Sequence, residues 1–152
     1  MLIYRICRAE FAADLKASGI AGRWNRDGQW VLYASATRAL AALEQLANRS
    51  GLVMNASYRV LVIDVPDVST SLRSVIPEML PLDWRRLSGY GRLQEMGAGW
   101  YRQSESLLLS VPSVLIPQEF NYLIHTQHPD FGSRVRLVGV EDFDWDKRLG
   151  KY

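Results

Sequence analysis

The chain has 152 residues, 48% of them hydrophobic and 22% charged, which excludes a disordered segment and suits one packed domain rather than two. Its 18 basic and 16 acidic residues leave a formal net charge of +2, which argues against a nucleic-acid binder with a strongly basic face. The single cysteine, Cys7, rules out an internal disulfide; with no secretory leader pattern and no run of about 18 apolar residues, a cytoplasmic protein without a membrane span is expected.

In chain order, Leu2 to Cys7 reads as a strand and Ala9 to Ala17 as a short helix stopped by Ser18-Gly19. The stretch AGRWNRDGQWVLYASA, residues 21–36, follows. Gly22 and Gly28 frame a loop whose Asn25, Arg26 and Asp27 carry turn chemistry, and residues 29–34 then run as a strand. Thr37 to Asn48 is the clearest helix, with Ser35 or Thr37 as N-cap and Gly51 as stop. Tyr58 to Val65 is a strand closed by Pro66. Residues 69–102 read as irregular, with Pro77, Pro81 and glycines at 89, 91 and 97, and end in a helix around Leu93–Gln103. Leu107 to Val111 and Val114 to Ile116 form one strand interrupted by Pro112-Ser113, and Asn121 to Ile124 and Arg134 to Val140 complete the β material. The expectation is a single α+β domain over residues 1–152, a mixed or split sheet flanked by helices.

Five residues stand out as site candidates, each with an ordinary alternative. Ala36, Leu40, Leu43 and Ala47 recur at helical spacing, and Glu44 sits at the edge of that stripe. A carboxylate there either reaches water as a boundary residue or turns toward a cleft. Arg5 lies inside an apolar strand, where alternation also allows a solvent-facing position. Arg23 is either a plain loop arginine or a presented cation, Tyr33 a strand aromatic, and Ser113 a turn former between Pro112 and Val114. Fifteen of the basic residues are arginines, whose planar fork suits phosphate and carboxylate, although genomic base composition produces the same bias.

The segments "YRI", "GRWNRDGQWVLYAS", "ALAALE", "VPSVLIP" followed by "NYLIH", and "FDWDKRLG" appear in an order that resembles the RES-domain proteins, the toxin halves of bacterial toxin–antitoxin pairs. The resemblance spans almost the whole chain except residues 69–102. It implies a fold similar to ADP-ribosyltransferases and an activity that destroys NAD, which serves as substrate; no cofactor or metal is implied. Carried over by position, the family's site falls on Arg5, Arg23, Tyr33, Glu44 and Ser113, with Asn121 matching the asparagine after the "PS" pair. The resemblance further implies a homodimer neutralised by an Xre-type helix-turn-helix antitoxin, to which DNA contact is left.

These residue types suit that chemistry. Breaking the nicotinamide–ribose bond develops an oxocarbenium-like cation, which a placed carboxylate such as Glu44 stabilises. Guanidinium forks at Arg5 and Arg23 match a pyrophosphate, with Trp24 packed behind the second. Tyr33 offers a ring to nicotinamide, Ser113 a hydroxyl to the ribose or to Glu44, and Asn121 an amide for binding NAD. Nicotinamide leaves as a neutral ring, so neither a general acid nor a metal is required.

Other motifs carry less. His125 and His128 lack further metal-ligand partners and read as a surface loop before Pro129. "GYGRLQEMGAG" lacks dinucleotide-fingerprint spacing, no Gly-x-Ser-x-Gly elbow surrounds Ser110 or Ser113, and the acidic run 141–146 reads as a solvated turn. Two alternatives to NAD degradation stand beside it. One is mono-ADP-ribosyl transfer to a protein; the other is a non-catalytic module binding NAD, ADP-ribose or a partner, which would need the arginines but not Glu44.

Overall fold

The apolar runs of the sequence become strands, and their order in space decides where polar side chains meet. The computed structural model describes residues 1–48, 56–67 and 69–150. Strands β1 (Leu2–Arg8), β2 (Val31–Ser35), β3 (Tyr58–Asp64), β4 (Leu72–Ser74), β5 (Leu108–Pro112), β6 (Phe120–His125) and β7 (Arg136–Phe143) form one sheet in the order β4-β5-β6-β2-β1-β3-β7. Only β4 and β5 run parallel; the other adjacent pairs are antiparallel. Among the described residues three helices join it: α1 (Arg38–Ala47), α2 (Tyr90–Gln103) and the short α3 (Phe131–Arg134). This is the single α+β domain with a mixed sheet that the pattern predicts.

Most strand pairs share a long register, but β1 and β2 meet at one pair alone, Tyr4 opposite Ser35. One face of the sheet buries Ile3, Cys7, Leu32, Ala34, Leu61, Ile63 and Ile124. The other carries two clusters. Trp24, Val31, Leu109, Val111 and Leu123 pack with Leu93 and Trp100 of α2, and Ile6, Tyr58 and Val60 pack with Ala41 of α1. Burial of such side chains contributes roughly 1.5–3 kcal/mol each and holds both helices on the same face.

Several local expectations fail for identifiable reasons. Ala9 to Ala17 forms only a 3-10 turn over Ala9–Phe11, since so short a helix needs a packed face and here only Ala12 is buried. The irregular middle contains β4 and a helix that starts at Tyr90, three residues before the expected Leu93. Residues 114–116 are not a strand, because β5 stops at Pro112 and Ser113 turns the chain. The acidic run does not lie wholly in a turn: Glu141 to Phe143 belong to β7. Thr37, not Ser35, caps α1, its Oγ1 accepting from the Leu40 N–H at 3.0 Å. The expected stop at Gly51 lies outside the described residues.

Candidate active site

The loop before β2 is built to present one side chain. Gly22 N–H donates to the Asn25 carbonyl at 3.0 Å and closes a tight bridge. The buried Asn25 amide donates to the carbonyls of Ile20, Arg26 and Gln29, so it knits the loop from inside. Tyr33 Oη donates to Asn25 Oδ1 at 2.7 Å and accepts from Trp24 N–H at 3.1 Å. From α2, Gln94 Nε2 donates to the Gly22 carbonyl at 2.9 Å. Gly97 lets the helix backbone approach so closely that a Cβ there would overlap the Trp24 carbonyl. Trp24, 3% exposed, is thus an anchor of the core. Between it and Gly22 stands Arg23, whose guanidinium lies 5.1 Å from the centre of the Tyr90 ring and whose Nη1 is buried without a hydrogen-bond partner among the described residues. A buried, unanswered guanidinium nitrogen is suited to an anion.

Glu44 faces this loop from α1. The helix does not bury the stripe expected from spacing: Leu40 and Ala41 are buried, while Leu43 is 37% exposed and Glu44 is half-buried. The carboxylate therefore belongs to the inward side. Its Oε1 accepts from Ser113 Oγ at 2.8 Å and from Asn121 Nδ2 at 2.6 Å. Among the described residues none donates to Oε2. Ser113 is wholly buried, and its Oγ also accepts from the N–H groups of Leu115 and Ile116. Ser113 is therefore more than a turn former, because it couples the β5–β6 connection to the carboxylate. Behind Asn121, Ser35 Oγ donates to the amide Oδ1 at 2.6 Å.

Arg23, Trp24, Tyr33, Glu44 and Asn121 line one cleft with Val111, Pro112 and Val114. Its volume of about 80 Å³ falls well short of the roughly 300–1,000 Å³ of pockets that engulf a whole ligand. Burial raises the Tyr33 hydroxyl far above the ordinary phenol range, with the Trp24 amide and Arg23 opposing it, so the ring stays neutral across physiological pH.

Two candidates do not line the cleft: Ser113, which reaches it through Glu44, and Arg5. Arg5 shares a strand face with Ile3 and Cys7, the face opposite the cleft. Its Nη1 donates to the Tyr33 carbonyl at 2.9 Å, a side-chain donor where the β1–β2 ladder has ended. No carboxylate pairs with it among the described residues, and burial lowers its pKa from the ordinary guanidinium value, opposed by the nearby Cys7. Arg5 thus supports the cleft floor from behind.

His125 is not a surface residue. Because β6 extends to pair His125 with Val31, the imidazole is buried and stacks on Tyr101 with 3.9 Å between ring centres. Among the described residues no group of three or more His, Cys, Asp or Glu is placed to hold a metal, and no helix is long and apolar enough to cross a membrane. Sequence reasoning missed Ser35, Tyr90 and Gln94. Their partners lie far along the chain, and no local pattern marks them.

Comparison with known proteins gives a consistent result. A family model described as "RES domain" matches residues 2–146. The chain is 41% identical over 146 residues to a protein named "Prs ADP-ribosylating toxin" from Sphingobium sp. (strain YBL2), covering 91% of this chain and 88% of that one. It is 30% identical over 166 residues to "Toxin Res" of Pseudomonas putida (98% and 99% covered) and 28% identical over 155 residues to "Toxin Res" of Photorhabdus laumondii (99% and 98%).

Proposed function

The chain belongs to the RES-domain family, and we propose that it is a growth-arresting toxin that breaks the nicotinamide–ribose bond of NAD and passes the ADP-ribose to water or phosphate. The observation that carries this reading is the geometry of Glu44. One oxygen is tied down by Ser113 and Asn121, and the other is left to accept from a ligand in a cleft bordered by the half-buried Arg23 guanidinium.

In this reading the nicotinamide end enters the cleft against the Tyr33 ring, and Arg23 answers the pyrophosphate at the rim. Glu44 Oε2 faces the ribose, where it accepts from a hydroxyl and opposes the positive charge that grows as the ring departs. Ser113 and Asn121 keep the carboxylate from turning away. Arg5 holds the Tyr33 main chain rather than touching the phosphates. Nicotinamide leaves carrying the bonding electron pair, and the acceptor oxygen bonds to the anomeric carbon and loses its proton to bulk water.

A second reading keeps the same bond cleavage but sends the ADP-ribose to a protein. The 41% identical relative, whose name describes an ADP-ribosylating toxin, favours it. We further propose a homodimer held inactive by a helix-turn-helix antitoxin of the Xre type whose chain end fills the cleft; the balanced charge of this chain is consistent with leaving DNA to that partner.

The test is purified protein with NAD, with nicotinamide and ADP-ribose products followed with and without phosphate, and with labelled NAD in a cell lysate. Free ADP-ribose or its phosphate supports degradation, and label on one protein band supports transfer. Binding without nicotinamide release would leave only a binding module.

A further inference from the structure

We propose that Ser35 is a positioning residue for Glu44, acting through the side-chain amide of Asn121; this rests on the reading of Glu44 as the group that faces the reacting bond. Ser35 and Asn121 lie directly opposite each other in the β2–β6 ladder, so both side chains stand on the cleft face. Ser35 Oγ donates to Asn121 Oδ1 at 2.6 Å, and Asn121 Nδ2 donates to Glu44 Oε1 at 2.6 Å. The chain of donors has one direction, from hydroxyl to amide to carboxylate.

An asparagine amide rotates easily about its last torsion, so its partners rather than its backbone fix its orientation. Glu44 holds the nitrogen end and Ser35 the oxygen end. Donation to Oδ1 also polarises the amide and strengthens the N–H bond to Glu44. Ser35 is well placed to be the fixed end. It is buried, and it is the β2 residue paired with both neighbours, Tyr4 of β1 and Asn121 of β6. The helix-capping duty that its place in the sequence suggests falls instead to Thr37. Among the described residues, no other donor reaches Asn121 Oδ1. Without the Ser35 hydroxyl, that oxygen is unpaired and the amide turns toward another partner, which loosens the grip on Glu44 Oε1.

The experiment is a double-mutant cycle read on NAD turnover, with Glu44→Gln run beside it. Ser35→Ala is expected to lower kcat roughly 10- to 100-fold, as misplacement of a reacting group does, while KM stays nearly constant. In an Asn121→Ala background, the same substitution is expected to do nothing further. Ser35→Cys, similar in size and a weak donor, should fall between. In 15N-labelled protein without NAD, the Asn121 side-chain amide pair, assigned by its loss in Asn121→Ala, should shift in Ser35→Ala. Unchanged kcat in Ser35→Ala, an equal loss in both backgrounds, or an unmoved amide signal would overturn the role of Ser35. Full turnover by Glu44→Gln would overturn the reading of Glu44 itself and this role with it. A dead Glu44→Gln beside a fully active Ser35→Ala overturns Ser35 alone.

Discussion

Asn121 Nδ2 donates to Glu44 Oε1 at 2.6 Å across 77 positions of sequence, joining the middle of the sheet to the inward side of α1. A carboxylate gripped through one oxygen has its orientation fixed while the other oxygen keeps its capacity to accept. Glu44→Gln keeps the shape and an acceptor for both donors but removes the charge. We expect turnover of NAD to fall about 10²–10³-fold, as for loss of a preorganised electrostatic contact, with NAD affinity little changed. Parallel turnover and equilibrium binding on one purified preparation check this.

Arg23 and Arg5 should separate. Arg23→Ala removes a guanidinium that none of the described residues satisfies at Nη1, so stability should change little. The loss of a charge-assisted contact, about 1.5–3 kcal/mol, should appear as weaker NAD binding. Arg23→Lys should recover only part of it, because a point charge lacks the fork. Arg5→Ala should cost stability as well, since it deprives the Tyr33 carbonyl of its donor. Calorimetric melting combined with NAD titration distinguishes the two patterns.

Tyr33→Phe keeps the ring but strips the hydroxyl that serves both Trp24 N–H and Asn25 Oδ1. Leaving buried groups unpaired should destabilise the fold by about 1–3 kcal/mol. The loop that carries Arg23 loses its brace, so KM for NAD should rise more than kcat falls. Denaturant unfolding and steady-state kinetics measure the two effects.

Gly97→Ala should be the most damaging of the helical glycine substitutions, because its Cβ would overlap the Trp24 carbonyl. Overpacking of this kind costs about 1–3 kcal/mol or more. Gly91→Ala, whose Cβ would meet nothing within 4 Å, should instead gain roughly 0.5–1 kcal/mol from reduced chain entropy. Opposite shifts of the unfolding midpoint are the expected result.

The protein should lose stability on mild acidification through His125. Burial and the neighbouring His128 lower its pKa from the ordinary imidazole value. The unfolded chain therefore binds the proton more readily. The contribution is complete above the unfolded value near about 6.5 and is lost as pH falls from there toward the folded value. Melting curves between pH 5 and 8 should show this slope, and His125→Phe should flatten it.

Much of the site was legible because its residues are locally anomalous: a charge at the margin of an apolar stripe, and an arginine and asparagine around a tryptophan in a turn. The sequence placed Glu44 near the inward side although the stripe it inferred was rotated, since Leu43 turns outward and Ala41 inward. α2 was half hidden because its glycines argue against a helix; one of them, Gly97, is there to let the Trp24 backbone in. Arg5, matched to a pyrophosphate by its residue type, reaches the Tyr33 carbonyl instead, because alternation gives a strand face but not the gap into which a long side chain reaches. Ser35 and His125 depend on partners brought by β6, which no window of neighbouring residues contains.

The single rung between Tyr4 and Ser35 makes the sheet two panels meeting at a seam. Glu44 rides on α1, which packs on the β1–β3 panel, while Asn121 and Ser113 come from the other panel. The carboxylate and its two clamps are thus bolted to opposite sides of the seam, and the clamp closes only when the panels do. Catalytic competence should therefore report the integrity of that joint and vanish, as denaturant is raised, before the bulk of the secondary structure melts.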